Sequence, residues 1–396
     1  MNTRQSDEEL WPTSQEELLL RAALLRGKDA IQAWHEWASS ADIGRLGAGS
    51  VGLLPLLYRN LLDHGVRNPL MNTLKGVYRL TWYKNQISLH KLASILRLFE
   101  QAGMQTMMLK GAALTLLHYQ DFGLRAMGDL DVLVHTRHAS PAIDLLAEGG
   151  WKPKVRPPQA FTEEHFYLSH SAAFGDGAGT EFDLHWHVLL ECCYTGADDD
   201  FWDTAVSTQV RTAPTNAMNP TDQLLHVCIH GMRWHGQAPL IWIADAMTIL
   251  NSSQTEIDWD RLLTQAQKRR LIVPLRHALS YLRGLVAAPI PLALLQGMQQ
   301  LPVSRFEIME YQSRAGLSEL AGPLHKLRFW CLRYARVASS GSLKGRRIGL
   351  PRYLQHVWNV DHLWQVPFYA VSGAVRSVCR MAASLGRQLA SNSFPR

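Results

Sequence analysis

The chain of 396 residues lacks the features of a disulfide-stapled, secreted or membrane-spanning protein. Its five cysteines are odd in number and form no CxxC pair, which fits a reducing compartment better than a disulfide framework. Its first 20 residues are polar and acidic, where a secretory signal would be basic and then apolar. The most apolar internal runs, such as "LIWIADAMTIL", are shorter than the roughly 20 residues of a spanning helix. We therefore expect a cytoplasmic protein that at most attaches peripherally to a membrane.

Positive charge is concentrated near the C-terminal end. The net charge is +6, yet residues 321–396 hold twelve lysines and arginines and one acid, Asp361, so the rest of the chain is acidic overall. A basic tail on an acidic body favours an anionic partner: membrane lipid, nucleic acid or a polyanionic acceptor. "WCLRYARVA" and "AVRSVCRMAASLGRQLA" mix apolar residues and arginines at helical spacing, as helices that lie on a membrane do. Helices packed on the body, with a solvated basic face, are the alternative.

Hydrophobic periodicity divides the chain into four segments. Helical spacing begins with a predicted capping box of Ser14 and Glu17, and it returns after the middle of the chain with Asn219 as a predicted N-cap. Between these regions, short apolar runs alternate with helical patterns. "SSGSLKGRRIGLPR", near the end, is typical of a flexible connector. The predicted segments are a helical region over 1–103, an α/β core over 104–200, a helical domain that completes a cleft over 201–300, and a basic, partly helical region over 301–396.

The predicted core contains three short strands, "MQTMML", "DLDVLV" and "TEFDLHWHV", separated by helical patterns. In the second strand, Asp129 and Asp131 project to one side because alternate residues of a strand share a face. Two adjacent like charges repel unless a cation lies between them, and Mg²⁺ prefers one or two carboxylates together with substrate phosphates. If the third strand is a neighbour, Asp183 joins the pair, and three carboxylates can hold two metal ions.

A phosphate cradle is predicted upstream of these carboxylates. Lys110 and Gly111 lie between a strand and a helix, where the glycine lets a phosphate approach backbone N–H groups and the lysine adds positive charge. Arg125, four residues before Asp129, is the next candidate for a phosphate contact. Each feature is common by itself, so the prediction depends on the ordered set.

That ordered set resembles the uncharacterised nucleotidyltransferases of the DNA polymerase β-like superfamily, specifically the group with an "LKG…R…DxDLLV…DLHW" pattern. Downstream, "LLHVCIHG", "WIADA" and "IDWDRLLTQA" fit the helical part of the same group, so the resemblance spans about Leu53 to Arg270. The residues that carry it are Leu109-Lys110-Gly111, Arg125, Gly128-Asp129-Leu130-Asp131-Val132-Leu133-Val134 and Asp183-Leu184-His185-Trp186.

The resemblance implies an α+β fold, a small mixed-sheet nucleotidyltransferase core flanked by helical regions. It also implies Mg²⁺-dependent transfer of a nucleoside monophosphate from an NTP to an acceptor hydroxyl, with two metal ions. The implied metal ligands are Asp129, Asp131 and Asp183, and the implied nucleotide-binding residues are Lys110, Gly111, Arg125 and Gly128. The sequence departs from the superfamily's usual Gly-Ser turn, which is Lys110-Gly111 here. Nucleotide binding must then use Lys110 and backbone N–H groups, or it has been lost. The alternative function is a catalytically inactive binding or scaffold protein that keeps the fold and binds a nucleotide or polyanion, with the basic tail for a membrane or polyanion.

Several other residues allow two interpretations. His226 and His230, four apart on a predicted helix, fit a packed pair better than a metal site, and His230 and Asp245 are candidates for the acceptor side of the cleft. His185 and His187 either orient a carboxylate or contact substrate, or they simply lie on the surface. The acceptor can be a small molecule, a glycan, a protein or RNA, and an anionic glycan or lipid-linked acceptor at a membrane face is a third hypothesis.

Overall fold

The computed structural model describes residues 11–154, 161–232, 240–252, 256–315, 322–339, 348–376 and 379. None of the described helices is both long and apolar enough to cross a membrane. The helices are α1 (Ser14–Leu24), α2 (Gly27–Ala38), α3 (Ala48–Asp63), α4 (Leu70–Gln101), α5 (Lys110–Leu114), α6 (Ala139–Glu148), α7 (His165–Leu168), α8 (Asp199–Asp203), α9 (Pro220–Gly231), α10 (Ile241–Asn251), α11 (Trp259–Lys268), α12 (Ile272–Val286), α13 (Leu292–Gln300), α14 (Arg305–Ala315), α15 (Pro323–Ser339), α16 (Leu350–Val357) and α17 (365–376).

The described strands are β1 (Thr106–Met108), β2 (Leu130–Val134), β3 (Lys152–Pro153), β4 (Ser171–Gly175), β5 (Glu181–His185), β6 (Val206–Val210) and β7 (Ala213–Ala217). They form one mixed, seven-stranded sheet in the order β3-β4-β5-β2-β1-β7-β6. β2 pairs in parallel with β5, and β1 in parallel with β7, while the other pairs are antiparallel. The predicted α+β class with a mixed sheet is therefore confirmed.

Each face of the sheet packs against its own helices. On one face, Val132 and Leu184 lie in an apolar cluster with side chains of α4 and α6, including Phe99. On the other face, Leu133 belongs to a larger cluster built from α1 to α3 and from α9 to α12. This second face also carries the aspartates of β2 and β5, because side chains alternate along a strand. The carboxylates of Asp131 and Asp183 therefore face the helices that follow the sheet in sequence.

Helix starts follow local capping chemistry. Asn219 caps α9, where its side chain accepts a hydrogen bond from the Asp222 N–H and Pro220 occupies the first turn, as predicted. The capping box of α1 is formed by Thr13 and Glu16 instead of Ser14 and Glu17. The prediction was wrong by one residue because adjacent Thr-Ser and Glu-Glu pairs give the same sequence pattern in two registers.

Four strands were not predicted: β3, β4, β6 and β7. The last two lie within the predicted helical segment 201–300 and extend the sheet beyond β1. The division of the chain into four segments remains a prediction.

After the sheet and its helices, α15, α16 and α17 contribute to a third apolar cluster that includes Tyr353, Leu354 and Val366. Residues 340–347 of the predicted connector "SSGSLKGRRIGLPR" and most of the last predicted tail helix lie outside the described residues. Residues 350–352 of the connector form the start of α16, so the prediction of a connector was wrong for them.

Candidate active site

Strand register brings two of the predicted metal ligands side by side. β2 and β5 pair in parallel so that Asp131 lies directly opposite Asp183. Neighbouring residues on paired strands face the same side, and like charges there repel each other. Asp131, Asp183 and His185 each offer one ligand atom, and these three atoms lie within 4.8 Å of one another. Among the described residues, this group has the spacing of a metal site, and Asp129 lies one residue before β2 beside it.

Asp131 is buried and already has two partners. The Lys110 ammonium donates to its Oδ1 at 2.5 Å, and His185 donates to the same oxygen through Nε2 at 2.9 Å. Although burial alone would raise it, the pKa of Asp131 lies below its usual range because of Lys110 and then His185. Burial lowers the pKa of His185, so this histidine acts as a neutral hydrogen-bond donor. Asp131 therefore stays ionised.

Asp129 and Asp183 have the opposite environment. Burial, followed by repulsion from Asp131, raises the pKa of each of these two carboxyls to about 6. Three carboxylates thus lie at one end of the cleft, and Lys110 is the cation that forms an ion pair with one of them in the described part of the chain. We call this group the carboxylate side: Lys110, Asp129, Asp131, Asp183 and His185.

The turn from β1 into α5 holds Lys110 in an unusual conformation. Lys110 has a φ of +44°, in the left-handed region that costs a non-glycine residue roughly 1 kcal/mol or more. The turn is fixed by its neighbour, because the N–H of Leu109 donates to the Asp131 carbonyl at 3.0 Å. This backbone conformation directs the Lys110 side chain toward the carboxylate of Asp131. Strained backbone of this kind concentrates at functional sites.

Arg125 forms a buried ion pair. Its Nε and Nη2 donate to the two carboxylate oxygens of Asp245 at 2.8 and 2.9 Å, and Tyr119 donates to the same carboxylate at 2.8 Å. Against the effect of burial, Asp245 raises the pKa of Arg125. We call Tyr119, Arg125 and Asp245 the ion-pair side. Arg125 was predicted to contact phosphate, but two of its three guanidinium nitrogens thus already donate to Asp245. The sequence did not indicate this pairing.

Gly111 is needed for a reason that the sequence does not reveal. A Cβ at this position would overlap the Nη1 atom of Arg125 and press on Met127. The glycine therefore makes room for the arginine of the ion-pair side, in addition to any approach by phosphate. Gly128, by contrast, has open space around its Cα, since a Cβ there would meet no other described atom within 4 Å.

A cleft of about 550 Å³ lies between the carboxylate side and helices α9 and α10. The predicted residues that line it are Lys110, Gly111, Arg125, Gly128, Asp129, Asp183, His226, His230 and Asp245. A second cavity of about 380 Å³ shares Ser171 and Leu190 with the cleft, and its far wall contains Trp330, Arg333 and His356. Sequence analysis missed Ser171 and this wall, because the unpredicted strand β4 and the C-terminal helices position them.

The four predicted histidines are all in packed positions. His185 and His187 are buried, so surface placement was wrong for both. His185 orients Asp131 through their hydrogen bond. His187 lies beyond the end of β5 and forms a hydrogen bond with Asp198 through Nδ1 at 2.7 Å, so it does not contact Asp131 or Asp183. His226 and His230 pack edge to face with ring centroids 6.0 Å apart, in agreement with a packed pair.

One comparison with known proteins, that with sequence families, agrees with the resemblance seen in the motifs. A sequence model of a family described as uncharacterised nucleotidyltransferase matches residues 48–287, which confirms that prediction. The crystal structure of an antigenic nucleotidyltransferase-like protein from Paracoccidioides brasiliensis is similar over 52% of this chain and 96% of that chain, with 15% sequence identity and a TM-score of 0.31. The search of curated proteins gives no match.

Proposed function

We propose that this chain, which belongs to the family of uncharacterised nucleotidyltransferases, transfers a nucleoside monophosphate from an NTP to an acceptor hydroxyl in a metal-dependent reaction. The observation that carries the proposal is the parallel register that places Asp131 beside Asp183 at the end of a cleft of about 550 Å³. A pair of adjacent carboxylates is unfavourable by itself, so the arrangement calls for a cation that the substrate complex supplies.

The donor set fits Mg²⁺. Asp129, Asp131 and Asp183 offer carboxylate oxygens, the donors that this ion prefers, and the raised pKa of Asp129 and Asp183 reflects burial and repulsion that a cation would relieve. His185 holds Asp131 in place, as hydrogen-bonded partners of metal ligands commonly do. When bound, one or two such ions neutralise phosphate charge and activate the acceptor oxygen.

The proposed reaction breaks a phosphoanhydride bond of the NTP and forms a phosphate ester with the acceptor. The acceptor oxygen attacks the α-phosphorus of the NTP, the bond to pyrophosphate breaks, and the acceptor proton passes to Asp183. Its carboxylate lines the cleft and is the proposed general base. Lys110 lies beside the carboxylates and is the cation proposed to contact the pyrophosphate, together with backbone N–H groups near Gly111 and Gly128. For Arg125, only Nη1 remains outside the bidentate pair with Asp245.

The second cavity is the proposed place for the acceptor. It meets the cleft at Ser171, on the strand beside Asp183, so an acceptor held there can direct a hydroxyl toward the α-phosphate. Its lining combines the ring of Trp330 with the guanidinium of Arg333. Such a wall suits an acceptor that has a flat or apolar part next to an anionic group.

A thermal-stability experiment tests the nucleotide and metal parts of the proposal. The purified chain is melted with each of the four NTPs, with and without Mg²⁺, beside Asp183→Asn and a control, Asp144→Asn, on the exposed face of α6. We expect an increase in melting temperature that requires both NTP and Mg²⁺, survives in the control and disappears in Asp183→Asn. No increase with any NTP would contradict nucleotide binding.

One observation favours a second candidate, a nucleotide-binding protein without transferase activity. The ammonium of Lys110 already satisfies Asp131, at the place where the superfamily has a Gly-Ser turn. Label transfer from NTP labelled at the α-phosphate into cell extract separates the two candidates. Wild type labels an acceptor and Asp183→Asn does not if the chain is a transferase, whereas neither protein labels one if the chain only binds nucleotide.

A further inference from the structure

Helix α17 exposes a row of large apolar side chains. Trp364, just before the helix, and Phe368, Val371 and Val375 within it are 65%, 69%, 63% and 55% exposed. Their spacings of four, three and four residues place them on one face, because a helix turns about 100° per residue. We call these four residues the apolar stripe.

The opposite face of α17 fixes the helix to the protein. Val366, two positions after Trp364, is buried in the third apolar cluster with Tyr353 and Leu354. Residues two apart on a helix point to roughly opposite sides, so the contact through Val366 directs the apolar stripe away from the body. The helix is therefore apolar on two faces, of which one is already used in packing.

The charge around the apolar stripe identifies what would cover it. Residues 362–396 contain four arginines and no acid, and residues 321–396 hold twelve basic residues against one acid. Arg376 follows the stripe directly, and its guanidinium lies 5.7 Å from the ring centroid of Tyr369. Aromatic and aliphatic side chains on one face, with Arg376 beside them and a sequence that has further arginines and no acid after Asp361, match an anionic lipid surface. A second copy of this basic region would bring like charges together.

We propose that α17 is a membrane-docking helix, with the apolar stripe inserted among the headgroups and acyl chains of an anionic bilayer. Trp364 and Phe368 supply the main insertion, since large aromatic side chains favour the interfacial zone. Arg376 and the arginines that follow it in sequence supply the attraction to anionic lipid. This inference is independent of the proposed transferase activity, because none of these residues lines the cleft.

Vesicle co-sedimentation of the full chain tests the proposal. The vesicles are pure phosphatidylcholine, or the same lipid with about one third anionic phosphatidylglycerol, in about 0.1 M and about 1 M salt. We expect binding to the anionic vesicles alone, and loss of most of it at high salt. Trp364→Ser/Phe368→Ser should lower the bound fraction about fivefold or more, because it removes the main inserted area. Arg376→Gln should weaken binding by a smaller factor.

A matched control keeps the test specific to α17. Trp82 and Tyr83, on α4, are also exposed aromatic residues, at 46% and 60%, so Trp82→Ser/Tyr83→Ser removes similar apolar area elsewhere. This control should bind vesicles as wild type does. Wild-type binding by the stripe variant, or binding to pure phosphatidylcholine that salt does not change, would overturn the proposal. So would a dimer in solution, without vesicles, that the stripe variant converts to a monomer.

Discussion

The two sides of the cleft treat buried charge in opposite ways. On the ion-pair side, Asp245 accepts two hydrogen bonds from Arg125 and one from Tyr119, so the charges are matched. On the carboxylate side there are three aspartates, and among the described residues Lys110 forms an ion pair with one of them, Asp131. The consequence appears in acid–base behaviour, since burial raises the pKa of Asp129 and Asp183 to about 6.

This difference suggests separate roles: the ion-pair side maintains the shape of the cleft, and the carboxylate side is available for chemistry. A bidentate arginine–carboxylate pair is rigid, and removing either partner leaves a buried charge without compensation. Carboxylates that lack sufficient positive charge are costly to the fold and are retained where a substrate or ion supplies the missing charge. The ion-pair side should therefore govern stability, and the carboxylate side should govern activity at little or negative cost to stability.

The largest expected effect is on transfer by the carboxylate side. Asp183→Asn should lower the rate of label transfer from α-labelled NTP by about a thousandfold or more, equivalent to about 4 kcal/mol, because it removes a metal ligand and the proposed proton acceptor. Asp144→Asn, on the exposed face of α6, should keep the wild-type rate. A rate within tenfold of wild type in Asp183→Asn would remove this residue from the reaction.

The ion-pair side should respond in stability. Arg125→Gln and Asp245→Asn should each lower the free energy of unfolding by about 3–5 kcal/mol, since each leaves the other charge buried and unpaired. Chemical denaturation measures this difference. The double variant should lose less than the sum of the single losses, because the two residues share one interaction. Single losses below about 1 kcal/mol would show that the pair is not what shapes this side of the cleft.

The pH dependence of stability should distinguish the two sides further. Asp183 has a raised pKa of about 6, so the folded state keeps the proton to higher pH than the unfolded chain, and stability falls as pH rises from about 4 to 6. Asp129 has the same raised pKa and contributes in the same direction, so Asp183→Asn should remove part of this fall and be more stable than wild type above pH 6 by about 1–3 kcal/mol. Asp131, with its lowered pKa, contributes stability that is lost only in stronger acid. Denaturation of both proteins at several pH values measures the difference, and parallel curves would contradict it.

How much of the fold and of the candidate site could be predicted from sequence depends on how far apart in the chain the interacting residues lie. The spacing of Asp129 and Asp131 and the apolar residues around them predicted a strand that presents both carboxylates, and such local periodicity is visible in one segment. The match of Asp183 to Asp131 required strand order and register across about fifty residues, so it remained conditional. The pairing of Arg125 with Asp245 joins positions 120 residues apart, and nothing local to either residue indicates it. For the same reason Gly111 was linked to phosphate alone.

The smallest expected effect concerns the backbone of the carboxylate side. Lys110→Ala and Lys110→Gly both remove the ammonium from Asp131, but only glycine adopts the φ of +44° without a Cβ penalty. Lys110→Gly should therefore unfold at a higher denaturant concentration than Lys110→Ala, with a difference of about 1 kcal/mol. Both variants should raise the pKa of Asp131 relative to wild type, since the ion pair is gone. Equal stability of the two variants would mean that the turn relaxes once the lysine is removed, and that the Lys110–Asp131 contact itself holds the strained conformation.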